Sequence, residues 1–576
     1  MKSVQHKEWV CQDCDEQQTD AISRQLEISP LLARLLVNRG VSSVEDVFRF
    51  LNPSLDDLLD PYALPDMDKA VARVKQAIER KEKTLVHGDY DVDGVTSAAL
   101  LIRTLRALGA HIIARVPHRK KDGYDIKAVT VEEAKAAGAS LILTADCGVT
   151  ACETVSHAFE SGIDVVITDH HEPGTELPNA AAVVNPRRRD SVYPFKDLAG
   201  VGVAFKFAQA LVGAMGYPQS KFQRKFLDLV ALGTVGDVSP LLGENRTLVK
   251  FGLEDMAVTK KVGLRSLVHR AGMDGRPLST HTLGYVLAPR INAVGRLDDS
   301  AIALQLLLTR EEAEADDLSR ILEQRNAERQ AEQARIWADV SRMLAERELD
   351  GLNAIVLAAP DWNAGVVGIV ANKIVERYGR PAALISANEA KGVGTGSARS
   401  IQSFDIGGAL EDLDDLLLRH GGHALAAGFS LRLDQLPVFE ERLNLIAGER
   451  IKPEELVPRH EVDAEIPLDE ISMDLVNDLK RLEPHGMGNP EPLFVTRGAT
   501  VLEARAVGAE KTHLKMRVCA EGCPPTECIA FGLGGYSESV EVGSSIDLCY
   551  NIRLNEYGGA ETVQLAVKDF GPASDA

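Results

Sequence analysis

At 576 residues, with 45% hydrophobic and 26% charged side chains, the chain has the composition of a globular protein of several domains, each large enough to bury an ordinary core. A net charge of −21 excludes a protein that grips nucleic acid with its whole surface, because phosphate binding favours Lys and Arg, but it leaves room for a local basic channel. The N-terminus is polar and no run reaches roughly 18 apolar residues, so the sequence predicts neither signal peptide nor membrane span and a cytoplasmic location.

Residues 1–80 read as a helical cover without chemistry of its own. Positions 26–36 are apolar at helical spacing, Ser43 can cap a helix over 44–51, and 67–78 repeats the pattern. Cys11-x-x-Cys14 stands without a second pair, which favours a surface thiol pair over a zinc site, and the eight scattered cysteines need no disulfide framework. From Thr84 apolar runs alternate with amphipathic segments. Strands are predicted at 84–86, 111–116, 141–143, 164–167 and 181–184, with helices at 95–108, 131–137 and 151–161. That alternation means a doubly wound α/β unit, a parallel sheet covered on both faces, whose ligands collect at the carboxyl ends of the strands.

Three of those ends carry metal-type side chains: His87-Gly-Asp89-Tyr-Asp91-Val-Asp93, then Asp146-Cys-Gly, then Asp169-His170-His171. Asp237, after a helical segment over 222–232, supplies a fourth acid. Asp91 and Asp93 can address two neighbouring cations, with His87 as a nitrogen donor. A calcium loop is excluded, because its twelfth position counted from Asp89 is Leu100 rather than glutamate. Any one of these acids alone would read as a helix cap or turn residue; together in one sheet unit they predict a metal site.

A glutamate-, glutamine- and arginine-rich helical segment over 300–348 reads as a solvated strut. Beyond it lie Trp362-Asn-Ala-Gly365-Val-Val-Gly368, Gly396-Ser397-Ala-Arg399 and Gly421-Gly422-His423. Glycines there allow backbone N–H groups to approach phosphate, and Gly365-x-x-Gly368 equally suits close helix packing. From Pro458 short strands at 499–502, 512–518, 527–531, 545–554 and 562–567 suggest a small barrel, in which Lys511, Lys515, Arg517, Phe531 and Tyr557 are candidates for single-strand binding or, for the aromatics, core.

The set HGDYDVDG, DCG, DHH and GTVGD resembles the DHH phosphoesterase superfamily. With Ala288-Pro-Arg290-Ile-Asn292-Ala-Val-Gly-Arg296 and the glycine-rich motifs it resembles, more narrowly, the RecJ single-stranded-DNA exonucleases. The resemblance implies a DHH domain over 81–300, a connecting helix over 301–350, a DHHA1-like substrate domain over 351–457 and an OB-fold over 458–576 that includes His485-Gly-Met-Gly-Asn489-Pro490. It implies 5′-to-3′ hydrolysis of single-stranded DNA to mononucleotides in DNA repair and recombination. Its cofactors would be two divalent ions, with Mn²⁺ suiting mixed imidazole and carboxylate donors better than Mg²⁺. Two cations roughly 3.5–4 Å apart supply the nucleophile and neutralise the leaving oxygen in such a reaction.

By the same resemblance Asp146 bridges the metals, His87 and Asp91 complete one, and Asp93, His170 and Asp237 the other, with Asp89 a further candidate. Asp169 would orient a histidine and His171 would meet the reacting phosphate. Arg119, Ser397 and Arg399 would hold the 5′-phosphate, with Arg290, Asn292, Arg296 and His423 along the strand. A helicase and a single-strand-binding protein are candidate partners by resemblance, unnamed by any motif. Two positions depart from the family pattern: Asp125 where glycine is usual and Asn363 where histidine is usual. A phosphatase or nuclease of the superfamily acting on short oligonucleotides would share the metal site without needing the barrel. A non-catalytic DNA-binding scaffold would have lost ligands, yet every motif keeps its acid.

Overall fold

A parallel sheet of five strands runs in the order His111–Arg115, Lys83–Gly88, Ala139–Ala145, Asp164–Thr168, Ala182–Val184. The computed structural model describes residues 3–118, 122–123, 125–297, 299–347, 349, 351–555 and 561–573. It divides into two units, Glu45–Glu328 with Leu482–Pro490, and Met1–Val44 with Arg329–Arg481 and Glu491–Ala576; the sheet belongs to the first. Side chains alternate between its faces, as the two-residue period of a strand requires. Leu141, Leu143 and Val166 join one core with helices Val92–Ala107, Gly200–Ala214 and Leu227–Gly236, whereas Leu85, Ile142, Val165 and Ile167 pack on the other side against Val131, Ala134, Val155 and Ala158. The chain leaves Lys83–Gly88 first to one side and later returns on the other, so the strand order reverses between Lys83–Gly88 and Ala139–Ala145. Such a reversal opens a crevice at the carboxyl ends of those two strands.

All five predicted strands are present. The segment expected as a helix over 222–232 is two elements, Gln219–Gln223 and Leu227–Gly236, and the second delivers Asp237 directly at its C-terminus. Val238 follows with φ +64, an unusual conformation for a β-branched residue, and Ser239 N–H closes the helix end on Thr234 O. Leu482–Pro490 docks on this region. Leu241 N–H donates to Met487 O at 2.7 Å, Thr280 Oγ1 to His485 O at 2.6 Å and Arg246 Nη2 to Glu483 O at 2.7 Å. The His485–Pro490 motif, read from sequence as part of the barrel, therefore packs with the sheet unit.

In the second unit the N-terminus departs from the all-helical expectation. Glu8–Cys11 is a strand paired in parallel with Arg459–Val462. The apolar run 26–36 is broken where Glu27 turns left-handed and Ser29 caps a new helix, Pro30–Asn38, with proline at its first position. The strut is likewise two helices, Ala301–Leu308 and Glu312–Ala345, parted where Thr309 Oγ1 accepts from Glu311 N–H. Beyond it, a mixed sheet in the order Leu417–His423, Ala426–Arg432, Val393–Arg399, Ala382–Asn388, Ile355–Ala359 precedes the barrel. Strands Phe494–Val507, His513–Cys519, Thr526–Ala530, Thr562–Pro572 and Ser545–Asn555 form a ring that closes through pairing of the first with the last. Among the described residues no helix is long and apolar enough to cross a membrane, and all eight cysteines are free thiols.

Candidate metal centre

The acidic loop is held open by its glycines. A Cβ on Gly94 would lie 2.5 Å from Asp89 N, and one on Gly88 would lie 2.7 Å from Ala98 Cβ. Asp91 caps helix Val92–Ala107, its Oδ1 accepting from Asp93 and Gly94 N–H at 3.0 Å each. Asp93, on the first turn, is fully buried, and both its oxygens accept N–H groups at 2.8 Å from Gly200 and Val201, where helix Gly200–Ala214 begins. Asp146 follows its strand in a left-handed conformation, φ +66, that turns the carboxylate toward the loop. Gly200 passes so close that a Cβ there would lie 2.4 Å from Asp146 Oδ1.

Three donor groups result, each with ligand atoms within 4.8 Å of one another: Asp93, His170 and Asp237; Asp89, Asp91 and Asp146; and Asp146, His170 and His171. Asp146 and His170 are shared between groups. His170 Nε2 stands 3.1 Å from Asp146 Oδ1 without the alignment of a hydrogen bond, and neither atom has a hydrogen-bond partner despite burial. Paired oxygen and nitrogen donors of this kind fit divalent cations with mixed ligation. His87 belongs to none of the three groups. It is buried, with Nδ1 3.3 Å from Arg115 Nη1 and Nε2 without a partner, and Arg115 is itself paired with Glu133 and Asp122.

Electrostatics point the same way. Burial, reinforced by Asp237 and Asp91, pushes the Asp93 carboxyl well above the usual range, and burial with Asp93 and Asp91 does the same to Asp146. Burial also raises Asp237. It lowers His170, and it lowers His87 to about 3, with Arg115 adding to the effect. Carboxylates this crowded need a cation to ionise together, while the imidazoles are kept neutral, the form that ligates. Asp169 behaves differently. Its oxygens accept from the N–H groups of His170, His171 and Val149 and from His171 Nδ1 at 2.8 Å, so burial is outweighed and its carboxyl sits low. The same bond overrides burial at His171 and lifts it to about 9.

Family models of the DHH family N-terminal domain, the DHHA1 domain and the RecJ OB domain match residues 83–234, 351–449 and 462–569. The single-stranded-DNA-specific exonuclease RecJ of Escherichia coli K12 is 36% identical over 95% of this chain and 96% of its own. The chain belongs to the RecJ family. The RecJ of Bacillus subtilis 168 is 39% identical, the match covering 97% of this chain and 70% of that one. Among solved structures, RecJ from Thermus thermophilus in complex with Mn²⁺ superimposes with a TM-score of 0.84 at 32% identity, covering 99% of this chain and 80% of that one. The same protein with Mg²⁺ gives 0.78 at 31% identity, covering 99% and 79%.

The residues expected along the strand divide. Asn292 Oδ1 accepts from Val92 N–H at 2.8 Å, fastening the start of the helix that carries Asp93. Arg290 is engaged by Glu323 at 2.5 and 3.2 Å and by Val286 O. Arg296 lies half-buried on the same helix, Ala288–Leu297. In the other unit Arg399 Nη1 donates to Ser397 Oγ at 2.9 Å, and Gly368 leaves room for both, since a Cβ there would lie 2.7 Å from Ser397 Oγ and 2.9 Å from Arg399 Nη2. Close approach to a strand, rather than helix packing, is what this glycine permits. His423 ends its strand exposed. Arg119 and Tyr557 fall outside the described residues.

Of the barrel candidates, Lys515 pairs with Glu527 and Arg517 with Glu503, while Phe531 is exposed and edge-on to His513. Asp125 explains how an acid replaces glycine: it keeps the left-handed backbone, φ +72, and its oxygens accept from Ile126 N–H and Thr150 Oγ1. Asn363 Oδ1 accepts from Gly365 N–H ahead of helix Val367–Tyr378. Gly200, Ser239, whose hydroxyl donates to Asp237, and the 482–490 segment were not legible from sequence, because each acts through a tertiary contact that no motif records.

Proposed function

We propose that this RecJ-family chain is a divalent-metal-dependent exonuclease that hydrolyses single-stranded DNA from its 5′ end to mononucleotides. The observation that carries the reading is the set of donor groups joined through Asp146 and His170 at the sheet's reversal point. Asp146 would be shared by two ions, with Asp91, Asp89 and His87 toward one and Asp93, His170 and Asp237 toward the other. When bound, such ions would supply a nucleophile at neutral pH and neutralise charge on the leaving oxygen. Asp169 fixes the ring of His171 through Nδ1, so that the other ring nitrogen would face the reacting phosphate. Ser397 and Arg399 are assigned to the terminal 5′-phosphate, for which a guanidinium beside a hydroxyl is the suited donor pair. Action in the cytoplasm beside a helicase and a single-strand-binding protein, in repair and recombination, belongs to the same reading.

The test mixes the purified full chain with 5′-labelled and 3′-labelled single strands, with and without Mn²⁺. Early release of the 5′ label as mononucleotide, only with metal, is the expected result. Release from the 3′ end first sinks the direction. Asp146→Ala should abolish hydrolysis and leave strand binding; retained hydrolysis removes Asp146 from the centre.

A further inference from the structure

A pair of aromatic rings stands on the turn that packs against the helix end carrying Asp237. His281 and Tyr285 stack with centroids 4.9 Å apart and an interplanar angle of 23°, and Tyr285 is 76% exposed. His281 caps and Tyr285 lies within the π-helical turn Thr282–Leu287, a rare backbone form that concentrates at functional sites. That turn is built against the element that carries Asp237. A Cβ on Gly284 would lie 3.4 Å from Val235 Cγ1, and one on Gly236 would lie 3.1 Å from Ala288 Cβ. The turn thus abuts the two residues that precede Asp237. The neighbouring exposed side chains are apolar as well: Val238 after Asp237 is 59% exposed, and Met487, whose carbonyl holds Leu241, is 55% exposed. The nearby Arg290 is engaged by Glu323.

A single exposed aromatic is ordinary. Two rings already stacked on each other, on a π-turn packed against the two residues before Asp237, present an exposed ring face on the element that leads to the metal centre. We propose that the Tyr285 ring, braced by His281, is a stacking platform for a nucleobase of the strand under hydrolysis. This rests on the exonuclease reading above. Stacking suits an enzyme that must accept every sequence, since all four bases offer a π-face, and it holds the strand without adding charge next to the metals. Tyr285 is a positioning residue; it takes no part in bond making.

The experiment uses the full chain with Mn²⁺ and a set of oligothymidylates carrying one abasic residue stepped along the first ten nucleotides. Tyr285→Ala should raise KM for the intact strand by about 5- to 150-fold with kcat little changed, and Tyr285→Phe should restore KM, because the ring and not the hydroxyl stacks. In the native protein one abasic position should impose a comparable loss, and at that position Tyr285→Ala should suffer no further loss. An unchanged KM in Tyr285→Ala, or abasic penalties identical in native and variant proteins, overturns the platform while leaving the exonuclease reading standing. A native chain inert on every strand overturns both.

Discussion

A methyl group added at Gly200 would place a Cβ 2.4 Å from Oδ1 and 2.7 Å from Cγ of Asp146. Cβ atoms essentially never sit closer than 3.0 Å to such neighbours, so one side must give by at least 0.6 Å (3.0 − 2.4). Gly200 is poorly placed to retreat, because its N–H is bonded to Asp93 Oδ2 at 2.8 Å and Val201 N–H holds the other oxygen. The displacement therefore falls on Asp146, or is shared with Asp93, and in either case a metal-facing carboxylate moves by an amount approaching an ångström. A misplacement of that size costs about 10²-fold in rate. The fold should survive, since over-packing costs about 1–3 kcal/mol and alanine recovers about 1 kcal/mol of helix propensity over glycine. Gly200→Ala is thus expected to melt within a few degrees of the native protein, to bind Mn²⁺ more weakly in calorimetry and to lose about 10²-fold in kcat/KM. A folded variant with native Mn²⁺ affinity and native kcat/KM would refute the placement of Asp146 in the centre.

Gly368→Ala presses instead on Ser397 Oγ and Arg399 Nη2, and should raise KM for 5′-phosphorylated strands while leaving Mn²⁺ affinity unchanged in the same calorimetry. Mn²⁺ should raise the melting temperature, by about 2.7 kcal/mol of added stability at a hundredfold excess over Kd, and Asp237→Asn should reduce that gain. His460, pulled down to about 4 chiefly by burial, is neutral in the fold, whereas the unfolded chain protonates near 6.5. Stability should therefore be fully present above pH 6.5 and fall as pH drops toward 4, and His460→Gln should flatten that part of a melting-temperature profile.

The sheet was readable because buried parallel strands announce themselves as apolar runs between amphipathic helices, and all five stood where such runs occur. The acids were readable because Asp89, Asp91, Asp93, Asp146 and His170 follow those runs directly. What escaped was set by tertiary contact. The break at Glu27 depends on a left-handed residue that the apolar spacing conceals. The partner of Arg290, Glu323, lies on another helix, where no motif records it. Asp89, a further candidate by resemblance, shares a donor group with Asp91 and Asp146, while His87 stands outside the groups found among the described residues.

Leu482–Pro490 lies far along the chain from Leu241, whose N–H it accepts, and from Thr280 and Arg246. During synthesis the sheet, its acids and the mixed-sheet domain all emerge before this segment does. The loop behind Asp237 therefore receives these backbone partners only after the mixed-sheet domain has emerged. A chain cut short before residue 482 keeps every metal-type side chain but leaves that loop, with its left-handed Val238, unsupported. Support of the loop behind Asp237 is thereby tied to the emergence of residues 482–490, so that a fragment ending before them carries the acids without those backbone contacts.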